Sequence, residues 1–170
     1  IEKMCDFFSR LGRTKHTAMR HSNMYGPYDK YDLERSHVFG ATVTKVMTNT
    51  SGILNVWGTG EGARDLLHVD DLVNFIDCAI EKQESNYELF NVGLGKATKI
   101  IDLIKNIIHH SGKNLQIEYD LSKPTIPTSL FLDCTKAKEL LGWEPQISID
   151  KGIVRTLQWY KNNIMDKTNE

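Results

Sequence analysis

The apolar positions of the chain follow two periods, one typical of helices and one typical of strands. Residues 17–22 alternate strictly between two faces, which predicts a strand. Residues 2–11 have the helical spacing i, i+3, i+4, i+7, carried by Met4, Phe7, Phe8 and Leu11. The chain thus begins inside or just before a helix, as a fragment of a longer protein would.

Helical and strand-like segments continue to alternate along the rest of the chain. Further strands are predicted at 53–57, 65–69, 87–92 and 115–119. Further helices are predicted after the candidate N-caps Ser36, Asp70 or Asp71, Thr98, Thr135, and Ser148 or Asp150. Polar loops are predicted at 23–36, 58–62 and 120–131, and the glycine-rich 58–62 is predicted to be a hairpin-like connection. This alternation predicts an α/β fold.

Composition excludes several classes of function. The chain has 170 residues, enough for one domain or one domain and part of another, and its net charge is −1. It has no long basic run, so nucleic acid is not an expected partner. No signal peptide or long apolar stretch is present, so no membrane span is expected. The three cysteines are isolated, which suits a reducing, cytoplasmic environment.

The segment from Arg20 to His37 carries the strongest candidate chemistry. A predicted strand runs into Gly26-Pro27, a polar loop follows, and His37 lies at the start of the next helix. In open α/β sheets, ligands bind beyond the carboxyl ends of strands. We therefore predict a site with Ser22, Asn23 and Met24 as its floor and His37 as a titratable group above it.

Each candidate residue also has a purely structural interpretation. His37 could only begin a helix or bond a loop carbonyl, and Asn23 could only form a turn before Gly-Pro. Lys45 and Arg64 suit a diphosphate but equally suit a solvated surface. Trp57 could stack on a ribose or base, or pack in the core. Residue type alone leaves these alternatives open.

Two further sequence patterns, a histidine pair and a Tyr-x-x-x-Lys match, resemble functional motifs but are not predicted to function as such. His109 and His110 are adjacent, so they point about 100° apart on a helix, and no metal site is predicted. They suit a helix end, where positive charge is favoured. Tyr119 and Lys123 match Tyr-x-x-x-Lys, but Lys123 precedes a proline and is disfavoured in a helix. We predict that this pair is not catalytic.

The sequence resembles the extended short-chain dehydrogenase/reductases that act on nucleotide sugars, the NAD-dependent epimerase/dehydratase family. The loop ending in Ser36-His37-Val38 is most similar to the GDP-L-fucose synthases of that family. Four motifs carry the resemblance, in order and spacing: Arg20-x-x-Asn23-x-Tyr25-Gly26-Pro27, Val56-Trp57-Gly58-Thr59-Gly60, Arg64-Asp65-Leu66-Leu67-His68-Val69-Asp70-Asp71, and Lys138-Glu139-Leu140-Leu141-Gly142-Trp143.

The resemblance implies roles for specific residues. His37 would be the catalytic acid of an epimerisation and would also contact the cofactor, NADP or NAD. The other implied cofactor contacts, mostly made by backbone, are His21, Ser22, Asn23 and Met24. The implied contacts to the nucleotide sugar, with a GDP-sugar favoured, are Asn23, Lys45, Trp57 and Arg64. A full-length enzyme of this kind is expected to be a homodimer.

The resemblance covers nearly the whole chain but only the C-terminal half of such an enzyme. The glycine-rich turn and the catalytic Tyr-x-x-x-Lys of the family would precede residue 1. We therefore expect residues 1–170 to form the last strands of a Rossmann-like, doubly wound parallel sheet, interleaved with a small α/β substrate-binding domain. The N-terminal cofactor-binding half would be absent, and the chain alone would be inactive.

One departure from the family leaves alternatives open. Residues 125–130 carry no charge, whereas the family loop is richer in charged residues. A UDP- or dTDP-sugar 4-epimerase or 4,6-dehydratase is the second interpretation. A non-catalytic nucleotide-sugar-binding module is the third.

Overall fold

The computed structural model describes residues 1–123 and 128–166, and helices alternate with strands throughout. The strands are β1 His16–His21, β2 Asn23–Tyr25, β3 Ile53–Trp57, β4 Ala63–His68, β5 Tyr87–Val92, β6 Ala97–Lys99, β7 Gln116–Asp120 and β8 Ser129–Leu130. The helices are α1 Glu2–Ser9, α2 Val38–Met47, α3 Val69–Lys82, α4 Ile100–Ser111, α5 Thr135–Leu141 and α6 Ile149–Tyr160, followed by a π-helical turn, Lys161–Met165.

Strand pairing is mainly parallel, which confirms the predicted α/β class. Strand β1 pairs with β5, β2 with β4, and β3 with β7, all in parallel. Strand β4 also pairs with β6 in the antiparallel sense and with β8 in parallel. The short strands β2 and β8 lie in segments that the sequence predicts as loops, and β6 overlaps the predicted helix start at Thr98. Their pairing partners lie far away in the chain, so local periodicity does not reveal them.

The predicted hairpin at residues 58–62 is wrong. Strands β3 and β4 flank this loop but belong to different sheets, because β3 pairs only with β7 among the described strands. The loop instead caps the N-terminus of α4 through its backbone carbonyls. The Ile100 N–H donates to the Gly62 carbonyl at 2.9 Å, and the Ile101 N–H donates to the Gly60 carbonyl at 3.0 Å. These bonds satisfy helix donors that have no intrahelical partner.

Most predicted helix starts are displaced by one to three residues. Ser148 is confirmed as the N-cap of α6, since its side chain accepts from Lys151 N. Elsewhere the N-caps are His37 for α2, His68 for α3, Lys99 for α4 and Cys134 for α5. Strand β4 leads directly into α3, so the end of strand pairing, rather than the preferred capping residue type, determines where this helix begins.

Two hydrophobic cores lie on opposite sides of β4. Leu66 packs in the core that contains Tyr25, Phe39 and Ile153. The next residue, Leu67, packs in the other core, which surrounds Trp143 and the aromatic rings of α3 and β5. Consecutive side chains of a strand point to opposite faces, so β4 forms one wall of each core.

Helix α1 ends at Ser9, two residues before the predicted end. Its apolar side chains Phe7 and Phe8 are each more than half exposed. Within residues 1–123 and 128–166, no helix is long and apolar enough to span a membrane.

Asp71 joins α3 to the segment between α5 and α6. Its buried carboxylate accepts from Gln146 N at 2.9 Å and from Ile147 N at 3.0 Å. The indole N–H of Trp143 donates to the Asp71 carbonyl at 3.2 Å. Asp71 therefore has a structural role, since its carboxylate and its carbonyl both fix the segment that contains Trp143, Gln146 and Ile147. The predicted cap role of Asp70 or Asp71 belongs instead to His68.

His68 is a buried histidine that is held neutral. Its Nδ1 accepts from Asp70 N at 3.2 Å, so the ring proton is on Nε2, which is buried without a partner in the described part of the chain. Burial lowers the pKa of His68, and the nearby Asp70 carboxylate opposes this only in part. Protonation would place a charge in the core.

We expect the thermal midpoint to fall as the pH drops below about 6.5, the ordinary pKa of histidine. The unfolded chain then binds a proton that the folded His68 resists, so stability falls with pH in this range. A His68→Asn variant retains a capping oxygen but does not titrate. Its thermal midpoint, followed between about pH 7 and pH 5, should fall less than that of the wild type. Identical pH dependence in both proteins would contradict this account.

Candidate functional site

A cleft of about 790 Å³, which we call the strand-end cleft, lies where β1 passes into β2. Six predicted site residues line it: His21, Ser22, Asn23, Met24, His37 and Arg64. The other lining residues are Tyr28, Asp29, Lys30, Arg35, Asp65, Thr128, Leu130 and Leu132. The structure therefore places His37 and the strand-end residues 21–24 in the same cleft. Their functional roles remain predictions.

The segment 26–37 returns to the cleft because it is anchored on α2. The Tyr31 hydroxyl donates to the Gly26 carbonyl at 2.7 Å, and the Thr44 hydroxyl donates to the Tyr31 carbonyl at 2.6 Å. A Cβ at Gly40 would overlap the Lys30 carbonyl, so only glycine allows this close approach. These contacts place His37 at the start of α2 and beside the strand end.

The floor of the cleft is strand rather than loop. Asn23 and Met24 belong to β2, which pairs with β4, whereas the sequence predicts a loop from residue 23. The Asn23 side-chain amide lies 3.4 Å from the Asp65 carbonyl and donates to it. Ser22 Oγ is buried and has no hydrogen-bond partner within the described ranges. A ligand with a polar group could therefore satisfy Ser22.

The charged side chains in the cleft favour an anionic ligand. The cleft has three cationic side chains, Lys30, Arg35 and Arg64, and two acidic ones, Asp29 and Asp65. The Asp65 carboxylate already accepts hydrogen bonds from backbone N–H groups. Arg64 uses one nitrogen, Nη1, for its bonds to Thr128 and the preceding carbonyl. The rest of its guanidinium can still donate to phosphate or carboxylate.

Lys45 and Trp57 lie in a separate cavity of about 460 Å³, which we call the Trp57 cavity. The Lys45 ammonium is 5.6 Å from the centroid of the Trp57 ring, and the Lys123 ammonium is 5.8 Å from it. Trp57 is 58% exposed. Ser36 also lines this cavity, whereas the next residue, His37, lines the strand-end cleft. The predicted substrate residues are thus divided between two cavities that share one segment.

Eight residues that line the cleft were not among the predicted site residues, and four of them lie in the polar segment before His37: Tyr28, Asp29, Lys30 and Arg35. Burial raises the pKa of Asp29, and a hydrogen bond from Lys30 N and the charge of His37 oppose this. The only signal in the sequence is their position in a polar run between Pro27 and Ser36. Such a run is typical of solvated loops, so composition alone does not identify these residues.

The two weaker patterns do not line the strand-end cleft, although Lys123 lies beside Trp57. Tyr119 lies in β7 and Lys123 lies beyond its end, so they do not share a helix face. His110 lies in the last turn of α4, 3.6 Å from the Asp150 carboxylate. Across the described ranges, no three His, Cys, Asp or Glu side chains are grouped as metal ligands. Residues 125–127 of the uncharged loop lie outside the described residues.

The polar cleft lies at the end of a parallel strand, the place where open α/β sheets bind their ligands. The chain belongs to the NAD dependent epimerase/dehydratase family, whose model matches residues 1–93.

Relatives and solved structures agree with this family. GDP-L-colitose synthase from Yersinia pseudotuberculosis is 30% identical over 99% of the chain and 54% of that protein. GDP-L-fucose synthase 1 from Arabidopsis thaliana is 32% identical over 86% of the chain and 46% of that protein. The chain therefore spans about half the length of the curated relatives it matches.

Among solved structures, UDP-glucose 4-epimerase from Thermotoga maritima, solved with UDP-glucose, has a TM-score of 0.81 and 32% identity. The match covers 99% of this chain and 52% of that one. RMD from Pseudomonas aeruginosa, complexed with NADPH, has a TM-score of 0.82 at 19% identity, over 96% of this chain and 54% of that one. That second likeness supports the fold alone.

Proposed function

We propose that the chain is the C-terminal half of a nucleotide-sugar epimerase/reductase of the GDP-L-fucose synthase type. The whole enzyme would epimerise and reduce a GDP-4-keto-6-deoxy sugar with NADPH. His37 would be the acid of the epimerisation, and Asn23 and Arg64 would bind the nucleotide sugar from the same cleft. The observation that supports this best is that His37 lines the strand-end cleft together with the Asn23 strand end.

The chemistry of a 4-keto sugar suits a histidine. The carbonyl acidifies protons on the neighbouring carbons, and inversion requires removal of a proton from one face and delivery from the other. Histidine titrates near neutral pH and can deliver that proton. We assign the delivery to His37, and removal of the proton to a group that this chain does not contain.

The residues of the cleft fit the polar part of a nicotinamide cofactor. Ser22 Oγ is buried and has no partner among the described residues, so it can bond a carboxamide group. His21, Asn23 and Met24 are its neighbours at the strand end, and His37 lines the same cleft. NADP or NAD would supply the hydride of the reduction. We propose that these residues hold the nicotinamide end and that the phosphates are bound by a half that this chain lacks.

The Trp57 cavity fits the nucleotide part of the substrate. Trp57 has an exposed ring flanked by the Lys45 and Lys123 ammonium groups. An aromatic face can stack on a base or ribose, and ammonium groups attract a diphosphate. A nucleotide sugar that reaches from this cavity into the strand-end cleft would pass the Ser36–Val38 segment.

Replacing His37 by alanine in the full-length gene product is expected to lower kcat by about 100-fold, the usual contribution of a general acid. Turnover would be followed as NADPH consumption with GDP-4-keto-6-deoxymannose. His110→Ala, at the exposed end of α4, is the matched control and should retain the wild-type kcat. If His37→Ala is as active as the control, His37 is not the acid and a 4-epimerase-type enzyme with a structural His37 is favoured.

Nucleotide specificity separates the first proposal from the second, a UDP- or dTDP-sugar 4-epimerase or 4,6-dehydratase. The second is supported by the 32% identity to a UDP-glucose 4-epimerase. Calorimetric titration of the chain with GDP-mannose, UDP-glucose and dTDP-glucose should show heat of binding with the GDP-sugar. Binding of UDP-glucose alone would support the second proposal.

We also propose that the 170-residue chain has no turnover by itself. Its sequence has no Gly-x-x-Gly-x-x-Gly turn, and its one Tyr-x-x-x-Lys match, Tyr119 and Lys123, does not lie on a helix. NADPH consumption with GDP-4-keto-6-deoxymannose by the chain alone would contradict this. Binding of a nucleotide sugar without cofactor, in a gene product that lacks those motifs, would instead favour a binding module.

A further inference from the structure

One carboxylate oxygen at the strand-end cleft lacks a partner. Asp29 Oδ1 accepts from Lys30 N at 2.7 Å, whereas Asp29 Oδ2 is buried and has no hydrogen bond to any described residue. Leaving a buried acceptor unsatisfied costs free energy, and such atoms are rare in folded proteins. The fold therefore retains an unfavourable group at the edge of the candidate site.

His37 is a donor that could satisfy this oxygen. It lines the same cleft as Asp29, and its side chain is exposed. Although His37 is the N-cap of α2, its side chain makes no capping hydrogen bond. Both side chains line one cleft, and a positive charge on His37 would partly oppose the rise that burial causes in the pKa of Asp29. The imidazole is thus near Asp29 and uncommitted.

The backbone before Asp29 is strained. Tyr28 has a φ of 67°, a left-handed conformation that is unusual outside glycine, and its ring packs against Trp159 with centroids 4.8 Å apart. Such strain persists where the surroundings impose it, and it is concentrated at functional sites. Asp29 therefore directly follows a residue that has a strained backbone and contacts Trp159.

We propose that Asp29 is a positioning residue for His37. The two side chains are not bonded in this structure. When the His37 side chain turns towards Asp29, Oδ2 would accept a hydrogen bond from one imidazole N–H and direct the other ring nitrogen towards the ligand. A carboxylate partner fixes the tautomer and orientation of an imidazole in this way. The proposal rests on the proposed function, because it assigns Asp29 to the same reaction as His37.

Two other donors compete for Asp29. Lys30 and Arg35 are exposed and line the same cleft. An ion pair between Asp29 and either of them would stabilise the loop without any effect on His37. A double-mutant cycle with His37 separates the two cases, because residues that act through one another are not additive.

In the full-length gene product, assayed with GDP-4-keto-6-deoxymannose and NADPH, Asp29→Asn should lower kcat by tenfold to about 100-fold. KM should stay within about twofold of wild type, since ground-state binding is unchanged. In a His37→Ala background, Asp29→Asn should change kcat by less than about twofold. An equal loss of kcat in both backgrounds would overturn the proposal and favour the ion pair.

Glu34→Gln is the control, because Glu34 is exposed in the same segment and does not line the cleft. It should retain the wild-type kcat. The thermal midpoint of Asp29→Asn should equal or exceed that of wild type, because the amide removes a buried charge. A lower midpoint would mean that Asp29 is structural. Absence of turnover in the wild-type gene product would overturn both this proposal and the proposed function, whereas additive losses overturn this proposal alone.

Discussion

Asp65→Ala is expected to lower the free energy of unfolding by about 4 kcal/mol, because it removes the acceptor of three buried or partly buried N–H groups. Asp65 Oδ1 accepts from Leu94 N at 2.7 Å. Asp65 Oδ2 accepts from Gly95 N at 3.2 Å and from Leu132 N at 3.0 Å. One carboxylate thereby joins β4, the segment after β5 and the segment before α5. Urea denaturation of the purified chain measures the loss.

Asp65→Asn should also be strongly destabilising. An amide has one acceptor oxygen and one donor nitrogen, so either orientation points an N–H group at a backbone donor. Asp133→Asn is the matched control, since both Asp133 bonds to Thr135 end on the single oxygen Oδ1. Its urea midpoint should equal that of wild type. Equal midpoints for Asp65→Asn and the control would contradict the role given to Asp65.

The second large effect is expected at Gly152 in α6. A Cβ at this position would overlap the Tyr25 hydroxyl oxygen and approach Tyr25 Cζ to 2.7 Å. Tyr25 is 2% exposed and tightly packed, so it cannot move aside. Gly152→Ala should therefore lower the free energy of unfolding by at least about 3 kcal/mol, at the upper end of the range for overpacked cores. Gly12→Ala, where a Cβ meets only ordinary contacts, is the control.

Tyr25→Phe tests the same contact from the other side. The Tyr25 hydroxyl is buried and unpartnered within residues 1–123 and 128–166. Removal of the hydroxyl should leave the free energy of unfolding of the wild type unchanged. In the Gly152→Ala background it should raise the free energy of unfolding by about 1 kcal/mol, because one of the overlapping atoms is gone. Thermal or urea unfolding of the four proteins of the cycle gives the coupling. Purely additive changes would show that the clash lies elsewhere.

The sequence predicts the main elements because they are encoded locally. The strands Ile53–Trp57 and Tyr87–Val92 match their predicted bounds. Gly112 ends α4 in a left-handed conformation, which glycine adopts without steric cost. The strand Asn23–Tyr25 was missed because only three residues pair, with a partner about forty residues away. Long-range pairing leaves no periodic signal over so few residues.

The site was predictable where it depends on strand ends and not where it depends on distant contacts. The approach of His37 to Ser22 and Asn23 follows from the order of strand, loop and helix. The importance of Asp65 does not, because the N–H groups that it binds lie 29 to 67 residues away. The division of Lys45 and Trp57 from the strand-end cleft likewise depends on the course of one segment, which residue types do not specify.

The alternation of Leu66 and Leu67 along β4 has a mechanical consequence. Each core presses on the strand from its own side, so a volume change in either one displaces the same backbone. Asn23 is bonded to this backbone, and Arg64 belongs to it. Substitutions far from both cavities, such as those around Phe75, would therefore cause small displacements of Asn23 and Arg64. A change in the packing of either core is therefore expected to change the position of Asn23 and Arg64 in the strand-end cleft.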